Sequence, residues 1–163
     1  MNLTNNVYLL LGSNLGDKFN NLKIAIEELE HKAGKLIASS TVYQTAAWGF
    51  EAQPDFVNQA ILLETALLPL KLLNTLHEIE QKMGRQPGPK WQERLIDIDI
   101  LLFNNEVIDY AFLKIPHPEL HNRRFALVPL AQLAPEFIHP VFITSISKLL
   151  EACPDQLDVK EYK

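Results

Sequence analysis

A run of alternating residues at positions 94–103 has the pattern of a covered β-strand. It reads RLIDIDILLF, with isoleucine or leucine at most positions. Successive side chains of a strand point to opposite faces, so alternate residues share a face. One face then carries Ile96, Ile98, Ile100 and Leu102. The other carries Leu95, Asp97, Asp99, Leu101 and Phe103. The pattern therefore predicts a strand that presents two carboxylates on one side.

Asp97 and Asp99 are the first candidates for chemistry. Two carboxylates that point the same way repel each other, and burying them without a partner is costly. A bound cation would relieve both costs. Mg²⁺ suits oxygen ligands, because it takes one or two carboxylates and completes its shell with water and phosphate. The same pattern also occurs on the solvated face of edge strands, so that alternative stays open from this stretch alone.

Hydrophobic periodicity elsewhere predicts a β-α-β-β-α-β order. Strands are predicted at 7–11, 35–45, 56–65 and 94–103. Helices are predicted at 17–33 and 69–83, where apolar residues recur at steps of three and four and a glycine follows. This order is typical of an α+β, ferredoxin-like antiparallel sheet with helices packed on it. The helices would cover the isoleucine face and leave the aspartates on the open face.

Two further features complete the predicted fold. Residues 125–133 and 146–153 are predicted to form helices, which gives the sheet a C-terminal helical extension. The glycine-rich segment 12–16 lies between a strand and a helix, as phosphate cradles do. It lacks the Lys-Ser/Thr ending of a P-loop and the third glycine of a dinucleotide fingerprint. We therefore predict a tight structural turn there.

Length and composition favour one soluble domain, predicted at 1–163. The net charge of -5 provides no global basic field to attract nucleic acid. A lone cysteine, Cys153, excludes an intramolecular disulfide. No apolar run is long enough to span a membrane and no basic leader precedes the first strand. We expect a cytoplasmic protein with no membrane or nucleic-acid partner.

Basic residues are frequent on either side of the aspartate strand. Seven of the 15 lysines and arginines are Lys82, Arg85, Lys90, Arg94, Lys114, Arg123 and Arg124. Together with two aspartates they suit a metal-bound polyphosphate, because phosphoryl transfer needs positioning, metal and positive charge more than covalent groups. Acidic residues are interspersed, so a mixed-charge surface is the open alternative. His117 and His121 are four apart, but Pro116 and Pro118 argue against a helical zinc pair.

Several short motifs resemble, in order and spacing, the 6-hydroxymethyl-7,8-dihydropterin pyrophosphokinase family. They are GSNLG at 12–16, QPDFVN at 53–58, RLIDIDI at 94–100, PHP at 116–118, NRRF at 122–125, PL at 129–130 and APE at 134–136. Each motif is short, but their joint order is specific and covers nearly the whole chain. The resemblance implies a transfer of pyrophosphate from ATP to the hydroxymethyl group of a reduced pterin. The products would be AMP and the pterin diphosphate, as a step of folate biosynthesis.

The resemblance also implies roles for individual residues. Catalytic roles fall to Arg85, Arg94, Asp97 and Asp99, and the two aspartates would hold two Mg²⁺ ions. ATP would be bound by Glu80, Arg85, Lys90, Trp91, Arg94, the backbone of Ile100, Lys114, His117 and Arg123. The pterin would be bound by Thr45, Ala46, Trp48, Phe56, Asn58, Trp91, Asp97 and Phe125. The two phenylalanines would stack on its ring. The enzyme is expected to be a monomer whose partners are its two small-molecule substrates.

The chain departs from the family pattern at a few positions, and two other functions remain open from its residues. Ala46 and Ala47 stand where many members have two prolines, Phe56 where some have tyrosine, and Gln92 at a usual glycine. A nucleotidyl or phosphodiester enzyme could use the same aspartates but would give different products. An RNA-binding sheet should interleave aromatic and basic residues on its central strands, whereas this chain has isoleucines and aspartates.

Overall fold

A computed structural model describes residues 3–45, 54–84 and 95–162 of the chain. The strands are β1 Asn5–Ser13, β2 Lys35–Ser39, β3 Tyr43–Thr45, β4 Phe56–Thr65, β5 Asp97–Phe103, β6 Ile108–Asp109, β7 Lys114–Ile115 and β8 Val159–Glu161. The helices are α1 Lys18–Lys32, α2 Pro69–Lys82, α3 Arg124–Leu133 and α4 Ile146–Glu151, with a 3-10 turn at Leu120–Asn122. Of the helices in these ranges, none is both long and apolar enough to cross a membrane.

Strand β1 lies between β5 and β4 in an antiparallel sheet. It pairs with β4 at nine positions and with β5 on its other side. The strand order is β5-β1-β4-β3-β8, and β2 pairs with another part of β4. Strands β6 and β7 form a separate hairpin. The predicted α+β class, with an antiparallel sheet and packed helices, is confirmed.

Helices α1 and α2 pack on the isoleucine face, as predicted. Asp17 caps α1 by accepting the backbone N–H of Asn20 at 3.2 Å, and Pro69 starts α2. The buried core between helices and sheet includes Leu22, Leu29, Leu76, Ile79, Ile96, Ile98 and Ile100. Burial of this apolar surface is the main favourable term that fixes β5 against the helices.

A bulge in β5 reverses its alternation near the end of the strand. Leu101 is an extra residue between Ile100 and Leu102, which pair with consecutive residues of β1. The prediction that Leu102 shares the isoleucine face, and Phe103 the aspartate face, is wrong. Phe103 lies in the helix-side core and Leu102 in the core on the other side. One inserted residue exchanges the faces of every side chain that follows it.

The aspartate face is covered over much of its area, which corrects the predicted open face. Helices α3 and α4 pack on it through a second core that includes Leu10, Ala60, Leu127, Leu130 and Ile146. The reason is the sequence of α3, RFALVPLAQL, which is apolar at most positions and needs a surface to bury. Asp97 and Asp99 are of intermediate exposure on this face.

Three predicted strands have different bounds in the structure. Among the described residues, the strand predicted at 94–103 is β5, Asp97–Phe103. Strand β1 continues past Leu11 through Gly12 and Ser13, which are buried and pair with β4. The predicted strand 35–45 divides into β2 and β3 near Ser40. The Ser40 hydroxyl accepts the backbone N–H of Ala60 at 3.0 Å, so a side chain takes the place of a strand carbonyl there. Because β1 extends to Ser13, the turn predicted at 12–16 is shorter than expected. It centres on Gly16, which has a φ of 70°.

The C-terminal strand β8 was not predicted from the sequence. The pattern indicated only a last helix at 146–153, whereas α4 ends at Glu151 and the chain then returns to the sheet. The segment Val159–Glu161 is short and mostly charged, so it has no hydrophobic signal of its own. Its pairing with β3 comes from tertiary structure.

We predict that Gly34→Ala strongly destabilises the fold. A Cβ atom at Gly34 would lie 2.1 Å from the backbone oxygen of Glu64, so the turn between α1 and β2 would have to move away from β4. Overpacking against backbone costs about 3 kcal/mol in the free energy of unfolding. Urea denaturation checks this, with Lys35→Ala at the exposed neighbouring position as the control. A Gly34→Ala variant as stable as the control would contradict the close approach.

Candidate active site

Four strands place a row of residues across one face of the sheet. Asp97 of β5 pairs with Gly12 of β1, Gly12 pairs with Asn58 of β4, and Asn58 pairs with Tyr43 of β3. Directly paired residues of an antiparallel sheet lie on the same face. The candidate metal ligand Asp97 and the candidate pterin ligand Asn58 therefore flank Gly12.

A glycine at position 12 leaves space between these two polar side chains. A Cβ atom there would lie 2.8 Å from Asn58 Oδ1 and 3.7 Å from Phe56 Cδ1. Asn58 is 3% exposed, and its Nδ2 lies 3.5 Å from the hydroxyl oxygen of Thr45. Three of the predicted pterin residues, Thr45, Phe56 and Asn58, are therefore grouped beside Gly12.

The neighbouring row brings Asp99 next to a pocket. Asp99 pairs with Leu10, one step along the same face. The pocket is lined by Leu10, Asp99, Leu101, His117, Leu120, Arg123, Phe125 and Ala126. Four predicted site residues, Asp99, His117, Arg123 and Phe125, thus line one cavity under α3.

Glu80 holds the aspartate strand from behind. Its side chain is 2% exposed, and its Oε2 accepts the backbone N–H of Ile98 at 2.9 Å. The Glu80 carboxylate is therefore buried and hydrogen-bonded within the fold. Ile98 lies between the two aspartates, so a charged acceptor on α2 fixes the backbone that carries them.

His117 is fixed next to the bulge of β5. Its backbone N–H donates to the carbonyl of Leu101 at 3.0 Å, and its Nδ1 accepts the backbone N–H of Glu119 at 3.1 Å. An accepting Nδ1 places the proton of the neutral ring on Nε2, so the ring donates from Nε2. A bulge at such a site is common, because it redirects a segment of chain.

Arg123 and Phe125 lie on either side of the first residue of α3. The guanidinium carbon of Arg123 is 5.8 Å from the centroid of the Phe125 ring, which is within the range of a cation–π contact. This contact keeps a positive charge next to an aromatic surface at the mouth of the pocket. A nearby carboxyl group, Glu119, has its pKa lowered mainly by the hydrogen bond from Asn122.

The structure does not bring every predicted residue into this cavity. Lys114 is exposed and forms an ion pair with Asp109 on the β6–β7 hairpin. The side chain of Ile100 lies in the helix-side core, so only its backbone is available to a ligand. Six predicted residues lie outside the described ranges, namely Ala46, Trp48, Arg85, Lys90, Trp91 and Arg94.

The segment 12–16 contributes more than the predicted turn. Asn14 is 1% exposed, and its Nδ2 donates to the carbonyl oxygen of Pro54 at 3.3 Å, near the start of β4. Asn21 of α1 donates to the hydroxyl oxygen of Ser13 at 3.1 Å. The first contact holds the end of β1 near the start of β4, and the second holds it to α1. The available sequence signal was a glycine followed by two small polar residues where a strand would end.

The two aspartates fit a magnesium site. In the part of the chain that the structure describes, no group of three or more His, Cys, Asp or Glu residues could hold a metal ion. A pair of half-buried carboxylates beside a pocket with an arginine and a histidine suits an ion that takes its other ligands from water and phosphate. A zinc or calcium site would require more protein ligands.

Comparison with known proteins identifies the family of the chain. A sequence model of the family described as 7,8-dihydro-6-hydroxymethylpterin-pyrophosphokinase matches residues 8–135, which include both aspartates, Gly12, Asn58 and all the residues that line the pocket. The chain belongs to this pyrophosphokinase family. It is a transferase that moves pyrophosphate from ATP to hydroxymethyldihydropterin in folate biosynthesis.

Curated relatives carry the same description. The chain is 46% identical to a 2-amino-4-hydroxy-6-hydroxymethyldihydropteridine pyrophosphokinase of Aquifex aeolicus, over 83% of this chain and 84% of the relative. It is 40% identical to the enzyme of that name from Pseudomonas aeruginosa, over 91% of each chain. Membership of the pyrophosphokinase family sets aside the phosphodiester-enzyme and RNA-binding alternatives.

Solved structures support the fold. The crystal structure of wild-type Plasmodium falciparum HPPK-DHPS with pteroate superposes with a TM-score of 0.79 at 19% identity. The A437G form with STZ-DHP gives a TM-score of 0.77 at the same identity. Each match covers 93% of this chain but only 45% and 46% of the solved chains, so this chain spans less than half of their length.

We predict that Gly12→Ala weakens pterin binding selectively. The added methyl group would displace the Asn58 amide, and loss of about one buried hydrogen bond raises the KM for the pterin roughly tenfold. The KM for ATP should change little. Steady-state kinetics with each substrate varied in turn test this.

The control for Gly12→Ala is Ser39→Ala, on an exposed position of the same sheet. An unchanged KM for the pterin in Gly12→Ala would show that Asn58 does not need the space that the glycine leaves.

Proposed function

We propose that the pyrophosphoryl transfer takes place on the sheet face between Asp97 and Asn58, under the start of α3. The observation that supports this most is the row Asp97–Gly12–Asn58. It sets a metal-binding carboxylate and a buried amide on either side of a residue with no side chain. The two substrates can then meet above Gly12 without a protein side chain between them.

Asn58, Thr45 and the two phenylalanines form the proposed pterin site. A buried amide supplies one acceptor and two donor hydrogens, which suits the alternating donors and acceptors at the edge of a pterin ring. Phe56 lies beside Gly12, and Phe125 of α3 lines the cavity next to Asp99. Their separate positions support a ring stacked between them, because aromatic faces bind planar ligands well.

Asp97 and Asp99 form the proposed metal site, which would hold two Mg²⁺ ions together with the ATP phosphates. When bound, Mg²⁺ neutralises phosphate charge and polarises the phosphoryl oxygens. The lining of the cavity under α3 favours a position for the phosphates next to Asp99, because Arg123 and His117 line it and both can donate hydrogen bonds.

In the proposed step the pterin hydroxymethyl oxygen attacks the β-phosphorus of ATP in line with the leaving group. A bond forms between that oxygen and the β-phosphorus. The bond from the β-phosphorus to the oxygen that bridges to the α-phosphorus breaks. AMP leaves with the bridging oxygen, and the hydroxyl proton passes to solvent. Positive groups aimed at the charge that develops in the transition state lower the barrier. We assign this role to Arg85 and Arg94, whereas His117 and Arg123 would hold the ATP phosphates.

The remaining predicted site residues have proposed roles as well. Glu80 lies behind the strand that carries both aspartates and supports the ATP side through Ile98. Arg85 and Arg94 would stabilise the transferred group, Lys90 and Lys114 would attract ATP, and the backbone of Ile100 would contact it. Ala46, Trp48 and Trp91 would contribute to the pterin site.

We also propose that the chain is a single pyrophosphokinase domain at 1–163, monomeric and cytoplasmic. Its strand order β5-β1-β4 with β2 and β3 beyond supports a ferredoxin-like core. Helices α3 and α4 with β8 would be its C-terminal extension. The acidic net charge argues against nucleic acid as a partner.

We predict that Asp97→Asn abolishes turnover while the fold is kept. An amide is neutral and binds Mg²⁺ poorly, so the loss of several kcal/mol of charge stabilisation lowers kcat about a thousandfold or more. AMP formation from ATP in the presence of Mg²⁺ and 6-hydroxymethyl-7,8-dihydropterin measures this, and circular dichroism monitors folding.

Glu106→Gln is the control, because Glu106 is an exposed carboxylate in the turn that follows β5. Its activity should equal that of the unchanged protein. Full turnover by a folded Asp97→Asn variant would rule out the metal role assigned to Asp97.

A further inference from the structure

The last ten described residues of the chain, 153–162, contact both walls of the proposed pterin pocket. We call this segment the C-terminal tail. It leaves α4 at the far side of the second core, where Cys153 is buried, and runs to the edge of the sheet. None of the residues given a role in the proposed reaction lies in this tail.

The first contact is with helix α3. Asp155 is 8% exposed, and its Oδ2 accepts the backbone N–H of Arg124 at 3.1 Å. Its Oδ1 accepts the N–H of Leu157 at 2.9 Å, which fixes the orientation of the carboxylate. The residue at the usual capping position is Arg123, which makes no side-chain cap. A carboxylate from the tail therefore caps a helix that cannot cap itself.

The position of this cap matters because Arg124 lies between two proposed substrate contacts. Arg123 precedes it and Phe125 follows it. Both side chains line the pocket with Asp99. If the first turn of α3 frays, both side chains lose their fixed positions.

The second contact is with strand β3. Val159 pairs with Thr45, Lys160 with Gln44, and Glu161 with Tyr43. The pairing is extended by Tyr162, whose N–H donates to the carbonyl of Val42 at 2.8 Å. The ring of Tyr162 packs on Phe19 of α1 with centroids 4.4 Å apart. The tail is thus anchored at its end as well as at its start.

Strand β3 is only three residues long and depends on its neighbours. On one side it pairs with β4, where Thr45 faces Phe56 and Tyr43 faces Asn58. On the other side it pairs with β8. Without β8 it would be a short edge strand, and such strands are weakly held. The buried hydroxyl of Thr45, next to Asn58, would then be less well fixed.

We propose that the C-terminal tail is a positioning element for the substrate pocket. Asp155 sets the start of α3 and so the positions of Arg123 and Phe125. Strand β8 sets β3 and so the position of Thr45 against Asn58. This inference rests on the proposed function, because it assumes that the pterin binds between these two walls.

The two contacts predict different kinetic effects. Lys160→Pro in the full chain breaks the middle of the β8–β3 pairing, because proline has no N–H and is poorly accommodated inside a strand. We expect the KM for the pterin to rise about fivefold, as for loss of one net hydrogen bond, while the KM for ATP stays within about twofold. Lys160→Ala keeps the backbone pairing and should change neither constant.

Asp155→Ala should raise the KM for both substrates, because Arg123 is proposed to hold ATP and Phe125 to hold the pterin. Asp155→Asn keeps one acceptor oxygen and should give a smaller rise. Ser145→Ala is the matched control. It removes a helix cap of the same kind from α4, where Ser145 accepts the N–H of Lys148 at 3.2 Å. It should lower the melting temperature and leave both KM values unchanged.

The experiment measures kcat and both KM values for these five variants, their melting temperatures, and pterin binding in the presence of Mg²⁺ and α,β-methylene-ATP. A tail with a purely structural role would make Lys160→Pro and Asp155→Ala resemble Ser145→Ala, with lower melting temperatures and unchanged KM values. That result would overturn the inference. If Lys160→Pro does not fold, the KM values of Asp155→Ala and Asp155→Asn test the inference. A failure of the proposed function would give a different result from a failure of this inference, because the unchanged protein would then form no AMP.

Discussion

The pairing of β1 with strands on both of its sides is the constraint on which the site depends. One register fixes Gly12 against Asn58 of β4, and the other fixes it against Asp97 of β5. Because both are backbone ladders in a buried strand, the distance between amide and carboxylate is set without any long side chain. A shift of one residue in either ladder would send one of the two groups to the helix side of the sheet.

The two faces of the sheet differ in what packs on them. The α1–α2 side is a closed apolar core, and the one buried charge described there, Glu80, accepts the N–H of Ile98 between the aspartates. The α3–α4 side is also packed, but α3 starts beside the aspartates and leaves a pocket under its first turn. The α1–α2 side thus supports the strand from behind, and the proposed site lies on the other side. Such support for reacting groups is a general requirement of catalysis.

Periodicity was sufficient for the elements with a strong hydrophobic signal. The isoleucines of β5 and the stripes of α1 and α2 identified the core, and the alternation in β5 put Asp97 and Asp99 on one face. The bulge at Leu101 has no local signal, because all residues around it are apolar, so Leu102 and Phe103 were assigned to the wrong faces. The sequence pattern places Gly12 in a turn, because a glycine at a strand end has the same pattern whether it bends the chain or leaves space for a neighbour.

The sequence pattern does not predict features that depend on tertiary contacts. Asp155 caps a helix that begins 31 residues earlier, and β8 is a strand only because β3 offers it an edge. The motif resemblance grouped Thr45, Asn58, Asp99, His117, Arg123 and Phe125 into substrate sites. The sheet register brings Thr45 next to Asn58, and the start of α3 brings Arg123 and Phe125 to the pocket that Asp99 and His117 line.

The most direct test of this account is a crystal structure of the chain with Mn²⁺, α,β-methylene-ATP and 6-hydroxymethyl-7,8-dihydropterin. Anomalous scattering would locate the metal ions. The account predicts metal ligated by Asp97 and Asp99, and a pterin ring above Gly12 with its edge on Asn58 and its faces on Phe56 and Phe125. A pterin bound away from Gly12, or metal that contacts neither aspartate, would contradict it.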